Sequence, residues 1–351
     1  WPCNRYKSAP VPAGLEAALA GGLTTRQSEA IGEKIESDLD SGKATGGTFV
    51  HRRTRKRHTI SAKAVVVCAS PIESVRLLLN SRSARHPSGL GNSSGVLGRY
   101  FMDQCASLMF GRWPAIAREG QPETLPEPPL FGVTGGMYVP RYENTTNHHD
   151  ASFTGGYTYQ GSIGRYAGPD RQGYLPVTMM CFGEMLPYED NRITLNYSRK
   201  DRWGIPLPHI SCGIHSNERA MLKRQIQDST DMIESGGGLV DFWASPLGLG
   251  QKGAGMYPAQ VWPIRWFMRK MFPKSLVVGA AIHESGGARM GSDPATSYLN
   301  PYGQCWEVPN LYVTDASSFP TGGSLGTTLT VMALSIRACE HLATELKAGR
   351  L

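Results

Sequence analysis

The sequence has no paired cysteines and no long apolar segment. Its seven cysteines are scattered and none belongs to a Cys-x-x-Cys pair, so neither a disulfide framework nor a metal site is indicated. The longest apolar runs, such as AVVVCA and LVVGAAI, are far shorter than the roughly 20 residues of a membrane helix. No signal peptide, internal repeat or low-complexity segment is present. We expect a globular protein without a transmembrane segment, and the composition leaves both a cytoplasmic and a periplasmic location open.

Positive charge is concentrated in one short segment. The formal net charge is +7, and residues 51–58, HRRTRKRH, supply five positive side chains. These are Arg52, Arg53, Arg55, Lys56 and Arg57. Because strand-like segments flank the run and no aromatic residues are interleaved with it, we interpret it as the solvated tip of a hairpin. A phosphate-binding patch is the less favoured alternative, and no nucleic-acid partner is expected.

Residues 62–81 combine a strand pattern with a helix pattern. The apolar run 64–68 is typical of a buried strand, and apolar residues recur at helical spacing after the turn at Ala69 and Ser70. They are Ile72, Val75, Leu78 and Leu79. In an open α/β sheet such a unit places its turn at the carboxyl edge of the strands, where cofactors bind. On its own, the pattern also fits a unit that only holds a sheet together.

Residues 103–278 have a different pattern. Segments such as TGGYTYQGSIGRY and MMCFGEMLPYEDNRITLNY alternate apolar and polar residues, which favours an antiparallel sheet with one solvated face. An amphipathic pattern over residues 216–235 predicts a helix that packs on this sheet rather than one that engages a partner. We interpret the region as a layer that faces the substrate.

The last seventy residues bring an ionisable ring, a strand end and a helix start close together in sequence. His283 precedes a glycine-rich segment, Asp315 ends the strand-like NLYVT, and a helical pattern begins at Thr327 or Thr328. An imidazole with an unperturbed pKa of about 6.5 suits proton transfer near neutral pH. A helix N-terminus favours negative charge. A buried structural histidine and a turn-forming aspartate are the alternatives.

Four ordered motifs carry a family resemblance. HESGGARMGSDP, PNLYVTDASSFPT and TLTVMALSIRACEHL resemble the carboxyl-terminal signature of the glucose-methanol-choline (GMC) flavin oxidoreductases. AVVVCASPIESVRLLLNS resembles the second signature of that family, with Val75 where Pro or Ser is usual. SGVLGRYFMDQ and GEMLPYEDNRITLNYSRKDRWGIPLPHI are similar to the bacterial sugar-oxidising branch, which includes pyranose-oxidase-like and glycoside- or gluconate-dehydrogenase-like members. The resemblance begins at about Gly47 and covers the rest of the chain.

The resemblance implies an α/β fold with α+β elements. It implies an FAD-binding domain that is incomplete in this sequence, formed by residues 1–102 and 279–351. A mostly antiparallel substrate domain, residues 103–278, interrupts it. The family's Gly-x-Gly-x-x-Gly, on an amino-terminal βαβ unit, is expected to be absent, since the glycine cluster in residues 235–242 follows a helix instead of preceding one. We therefore expect the ADP-binding half to be missing here, as a separate chain, as a removed segment, or as sequence that lies outside these 351 residues.

The resemblance also implies a function and a set of site residues. The expected reaction is FAD-dependent oxidation of a secondary alcohol on a sugar or glycoside, with hydride transfer to the flavin and His283 as the general base. Asp315 and Ala316 are expected to lie along the flavin's ribityl chain, and Thr327 or Thr328 to cap a helix directed at the ring. The turn residues Ala69 and Ser70 are expected to line the cofactor. A flavin-scaffold lyase of the hydroxynitrile lyase type and a catalytically silent partner subunit are the alternatives.

One departure from the family pattern falls at the expected active site. Gly326 stands where family members usually have a second His or Asn, and Thr327 replaces the following proline. A glycine cannot orient a substrate hydroxyl, so either Ser324 or the Thr327 hydroxyl substitutes for the missing side chain or activity is impaired. The competing hypothesis is that Gly326 is required for a backbone conformation with positive φ.

Overall fold

The computed structural model describes residues 10–115, 136–145, 148–164, 173–251, 262–263, 266–267, 270–271 and 276–351. The helices are α1 (Pro10–Ala20), α2 (Pro71–Asn80), α3 (Ser216–Ser235) and α4 (Thr328–Lys347), with a 3-10 turn at Ala316–Ser318. The strands are β1 (Ala30–Ser37), β2 (Ala44–His51), β3 (Arg57–Ser61), β4 (Val65–Val67), β5 (Gln104–Pro114), β6 (Gly136–Val139), β7 (Tyr157–Ile163), β8 (Tyr174–Glu184), β9 (Arg192–Lys200), β10 (Pro206–Ser211), β11 (Leu239–Ser245), β12 (Gly248–Gln251) and β13 (Leu311–Val313).

The largest sheet is antiparallel and has six strands in the order β12-β11-β5-β8-β7-β6. Its central pair, β5 and β8, is in register from Gln104 opposite Glu184 to Pro114 opposite Tyr174. Side chains alternate between the two faces of a strand, which explains the alternating polarity of the sequence in this region. The start of β5 therefore lies beside the end of β8.

Helix α3 covers one face of this sheet. Its Met221 and Ile233 are fully buried and share an apolar cluster with Met109 of β5 and Met179 of β8. Glu218 accepts a hydrogen bond from the backbone N–H of the residue preceding the helix, which fixes the helix start. The predictions of an antiparallel sheet and of a helix packed on it are confirmed.

A second core surrounds the parallel pair β4 and β13. Val67 and Val313 are paired across these strands. Val75 and Leu78 of α2 are fully buried in the same cluster. The antiparallel sheet β1-β2-β3 lies next to β4. The predicted strand–turn–helix unit and the predicted hairpin, whose tip joins β2 to β3, are thus confirmed.

The mixed architecture, with mostly antiparallel strands, agrees with the predicted fold class. The boundaries at residues 102 and 278 stay a prediction. No helix in the described ranges is both long and apolar enough to cross a bilayer.

Candidate active site

The turns that follow β4 and β13 lie side by side because the two strands are parallel. Asp315 is buried, and its Oδ1 accepts hydrogen bonds from Ser317 N (2.8 Å) and Ser317 Oγ (2.5 Å). Its Oδ2 accepts one from Ser74 Oγ of α2, which itself accepts one from Ala69 N at 2.9 Å. Ala69 and Ser70 are exposed. The Asp315 carboxylate therefore ties the end of β13 to the start of α2, and its contact with a cofactor stays a prediction.

Two glycines allow the segment after His283 to run against this strand end. Gly286 N donates to Ala316 O at 2.9 Å, and Gly286 has φ +74°, with the Tyr100 carbonyl where a Cβ would lie. Gly287 has φ +95°, and a Cβ there would lie 2.9 Å from Val75 Cγ2. Both positions exclude a side chain, since positive φ and close packing coincide. The Gly-Gly pair thus brings the segment alongside the 3-10 turn that follows β13.

His283 is half-buried and is held at its backbone and at one ring nitrogen. Its N–H donates to Asp103 Oδ1 at 3.2 Å, and its Nδ1 lies 2.6 Å from Gln104 Oε1. The Phe182 ring centroid is 5.3 Å from the imidazole centroid. Among the described residues, His283 Nε2 has no hydrogen-bond partner. A Cβ added at Gly326 would lie 3.7 Å from that atom, so Nε2 faces the position of Gly326.

The loop before α4 is attached to the large sheet through three successive carbonyls. Gln104 Nε2 donates to Gly323 O and, at 2.8 Å, to Leu325 O. Thr158 Oγ1 of β7 donates to Ser324 O at 2.6 Å. Strands β5 and β7 therefore hold the backbone that leads to the predicted site residues.

Gly326 does not have the conformation that the competing hypothesis requires. Its φ lies outside the left-handed region, and the nearest atom to an added Cβ is His283 Nε2, in ordinary van der Waals contact. The hypothesis of a positive-φ glycine is therefore wrong. Neither Ser324 Oγ nor Thr327 Oγ1 has a hydrogen-bond partner in the part of the chain that the structure describes. Both hydroxyls are thus available in the loop that passes His283.

Helix α4 begins at this loop without a side-chain cap. Thr327 occupies the N-cap position, but its side chain makes no capping hydrogen bond, which corrects the prediction that Thr327 or Thr328 caps the helix. The first helical bond runs from Val331 N to Thr327 O at 3.0 Å. The amides of residues 328–330 are left as donors, at the end of the helix that carries a partial positive charge. This end of α4 can therefore hold negative charge.

One face of α4 is apolar and exposed. Leu329 is 77% exposed and Ile336 60% exposed, with Met332 between them on the same face. Of the helix residues, only Ala338 is buried. In the described residues, nothing of the chain covers this face.

The carboxyl group of Asp103 lies beside the His283 backbone. Asp103 is buried, and its second oxygen accepts a hydrogen bond from Gly279 N at 2.7 Å. Burial raises the pKa of the Cys105 thiol well above its ordinary value, so this neighbour of Gln104 is uncharged. No group of three or more potential metal ligands occurs within the described ranges. The arrangement therefore places the His283 imidazole, with Asp103 bonded to its backbone, beside a helix N-terminus.

Sequence reasoning missed Asp103, Gln104 and Thr158. Gln104 is 179 positions from His283, and Thr158 is 166 positions from Ser324, so no local spacing connects them. The available signal was a pair of polar residues, Asp103 and Gln104, where the strand β5 begins.

The prediction that Gly-x-Gly-x-x-Gly is absent requires a correction. The spacing occurs once in the sequence, at Gly248, Gly250 and Gly253. However, the first two glycines belong to β12, which forms an antiparallel hairpin with β11. That context is not the strand–turn–helix of a dinucleotide-binding site, so the run does not provide the missing phosphate cradle.

Comparison with known proteins identifies the family. Residues 187–335 match the family model described as GMC oxidoreductase, in its carboxyl-terminal domain. The chain belongs to the GMC oxidoreductase family through that domain. Members of this family are FAD-dependent oxidoreductases that act on CH–OH groups.

Three matches describe the similarity. The chain is 30% identical to 2-methyl-1,2-propanediol dehydrogenase of Mycolicibacterium austroafricanum, over 96% of this chain and 57% of that protein. It is 24% identical to the fructose dehydrogenase large subunit of Gluconobacter japonicus, over 84% of this chain and 50% of that protein. Its fold is similar to that of formate oxidase from Aspergillus oryzae, with a TM-score of 0.59, 13% identity, and coverage of 91% and 61%. Other relatives are named for C-glycosides and gluconate. The chain spans about half the length of the curated relatives it matches.

The residues present fit one end of FAD. The uncapped amides of α4 suit the electron-rich edge of a flavin ring, and the exposed apolar residues beside them suit a planar aromatic group. Gly326 has no side chain, and a Cβ there would lie 3.7 Å from His283 Nε2. By contrast, the described residues contain no glycine-rich strand-to-helix turn for the pyrophosphate. The fit is therefore to the ring end and not to the ADP end.

Proposed function

We propose that this chain carries the base and the ring-facing part of an FAD-dependent enzyme that oxidises a secondary alcohol of a sugar or glycoside. The observation that supports the proposal is the position of His283 Nε2. This nitrogen has no partner among the described residues and faces the gap at Gly326, at the start of α4. Relatives named for fructose, C-glycosides and gluconate support the substrate class.

In the proposed reaction, His283 Nε2 accepts the proton of the substrate hydroxyl. FAD, when bound, would supply the acceptor for the hydride that leaves the carbon bearing this hydroxyl. The hydrogen bond at Nδ1 keeps the ring in place while Nε2 takes the proton, and the imidazolium that forms lies near the buried Asp103. Proton transfer of this kind contributes about 10²–10⁴-fold to a rate.

Several residues are proposed to hold the cofactor and the substrate. The first-turn amides of α4, with Thr327 and Thr328, would hold the negative edge of the flavin ring. Asp315 and Ala316 would lie along its ribityl chain. Ala69 and Ser70, which follow β4, would line the cofactor next to them. Because Gly326 has no side chain, the free hydroxyls of Ser324 and Thr327 are proposed to donate hydrogen bonds to the substrate. The ADP end of FAD would be held by residues outside this sequence.

The proposal is tested by anaerobic mixing of the FAD-loaded protein with sugars and glycosides while the flavin absorbance is followed. Loading is achieved by coexpression with an amino-terminal ADP-binding segment of a relative. Bleaching of the flavin band by a sugar is the expected result. Cyanide release from a cyanohydrin without bleaching would indicate a lyase instead, and no reaction with either class of compound would indicate a silent subunit.

A further inference from the structure

We infer that Gln104 is a positioning residue that fixes His283 in the tautomer with its proton on Nδ1. The two side chains meet between Gln104 Oε1 and His283 Nδ1, 2.6 Å apart. If Oε1 is the acceptor, Nδ1 must carry the hydrogen, and Nε2 is left with its lone pair free. The orientation of the Gln104 amide therefore decides which nitrogen of His283 is basic.

The amide orientation follows from the other contacts of Gln104. Its Nε2 donates to two backbone carbonyls, Gly323 O and Leu325 O. Rotating the amide by half a turn would place Oε1 against both carbonyl oxygens and leave no donor for either of them. Gln104 is only 4% exposed, so water cannot readily replace the lost partners. Oε1 is therefore directed at His283.

No other group in contact with the imidazole competes with this assignment. On the β5 side, Asp103 bonds to the backbone N–H of His283 and not to the ring. On the β8 side, the ring meets the uncharged Phe182. Across the gap, Gly326 has no side chain. Within the described residues, the tautomer depends on Gln104 alone.

The same amide also sets the distance between the base and the loop. Gln104 binds the carbonyls on both sides of Ser324, while Thr158 binds the carbonyl of Ser324 itself. Removing Thr158 Oγ1 would loosen the loop but leave the His283 ring bond in place. Thr158 thus provides a matched control, because it holds the same loop without touching the base.

The test measures the tautomer directly, without flavin and without activity. The chain is labelled with ¹⁵N at histidine, and the His283 signals are identified by their loss in His283→Gln. Above the imidazole pKa, free histidine favours the Nε2–H form. We expect the wild-type protein to show the opposite, a protonated Nδ1 and an unprotonated Nε2 at His283. A predominantly Nε2–H ring in the wild-type protein would overturn the inference, whatever any variant does.

The variants test whether Gln104 is the cause. Gln104→Met has a similar length but accepts no comparable hydrogen bond, and it should shift His283 towards the Nε2–H form. Thr158→Val should leave the tautomer as in the wild type. An unchanged tautomer in Gln104→Met, or an equal shift in both variants, would contradict a specific role for Gln104.

The catalytic consequence rests on the proposed function and is measured separately. In the FAD-loaded protein, Gln104→Met should reduce the rate of flavin reduction by about 3- to 10-fold, the effect expected from one lost hydrogen bond. A confirmed tautomer together with an unimpaired His283→Ala variant would refute the proposed function but not the positioning role. The converse result, an essential His283 in the Nε2–H form, would refute the positioning role alone.

Discussion

The two sides of the candidate site differ in how many of their hydrogen-bonding and apolar groups have a partner within the described residues. On the base side, His283 Nδ1, Asp315 and three loop carbonyls all have hydrogen-bond partners within the described residues. On the helix side, the first turn of α4 lacks a side-chain cap and Leu329 and Ile336 are largely exposed. One side of the site is thus preformed, while the other presents donors and apolar surface with no partner in the described structure.

This difference has a physical meaning. Uncapped helix amides are donors that water or a ligand must satisfy, and a row of exposed apolar side chains is unfavourable in water. A planar cofactor with an electron-rich edge would engage both. The base side needs no cofactor to hold its geometry. We therefore expect changes on the base side to affect folding and the chemical step, and changes on the helix side to affect mainly what binds there.

The largest expected effect concerns FAD itself. The 351-residue chain alone should fail to retain FAD, because it fits the ring end but shows no glycine cradle for the pyrophosphate in its described residues. Equilibrium dialysis of the purified chain against FAD measures this directly. Stoichiometric binding at micromolar FAD would show that the helix side and its surroundings are enough to hold FAD. The contrast drawn between the two sides of the site would then be wrong.

The next effect concerns the gap at Gly326. Gly326→Asn should place a hydrogen-bonding group beside His283 Nε2 and raise the rate of flavin reduction in the FAD-loaded protein by about 5- to 150-fold, the worth of about 1–3 kcal/mol. Gly326→Ala should fold normally, since its φ is not in the left-handed region and a Cβ makes only an ordinary contact. Stopped-flow reduction and thermal unfolding are measured for both variants.

One result for Gly326→Asn would contradict this expectation. If the Asn variant is as stable as the wild type but slower, the enzyme does not lack a hydrogen-bonding partner to His283 at position 326. In that case Ser324 or Thr327 already orients the substrate, and replacing their hydroxyls becomes the informative experiment.

The smallest effects compare the stability of the two sides. Asp315→Ala leaves Ser74 and Ser317 without an acceptor and should lower the free energy of unfolding by about 2–3 kcal/mol. Ile336→Ala, on the exposed face of α4, should change it by no more than about 0.5 kcal/mol. Urea denaturation of the chain without flavin measures both. A loss at Ile336 equal to that at Asp315 would mean that the chain buries this face after all.

The sequence predicted the local elements better than the contacts between them. The apolar run before Ala69, the helical spacing after it and the alternation in β5 and β8 all depend on periods of two or about four residues, which a single sequence displays. The partners of His283 do not follow from such periods, because Gln104 reaches it from a different strand. Likewise, Thr327 was correctly placed at the start of α4, but whether its hydroxyl caps the helix depends on a rotamer that the sequence does not specify.

The most direct test of the account is the rate of flavin reduction in the FAD-loaded protein with and without His283. His283→Ala should slow reduction by sugar by about 10²–10⁴-fold while leaving the flavin spectrum and occupancy nearly intact. His209→Ala, an exposed histidine on β10, is the matched control and should leave the rate unchanged. A His283→Ala protein that loses its flavin, or one that is reduced as fast as the wild type, would contradict the assignment of His283 as the base.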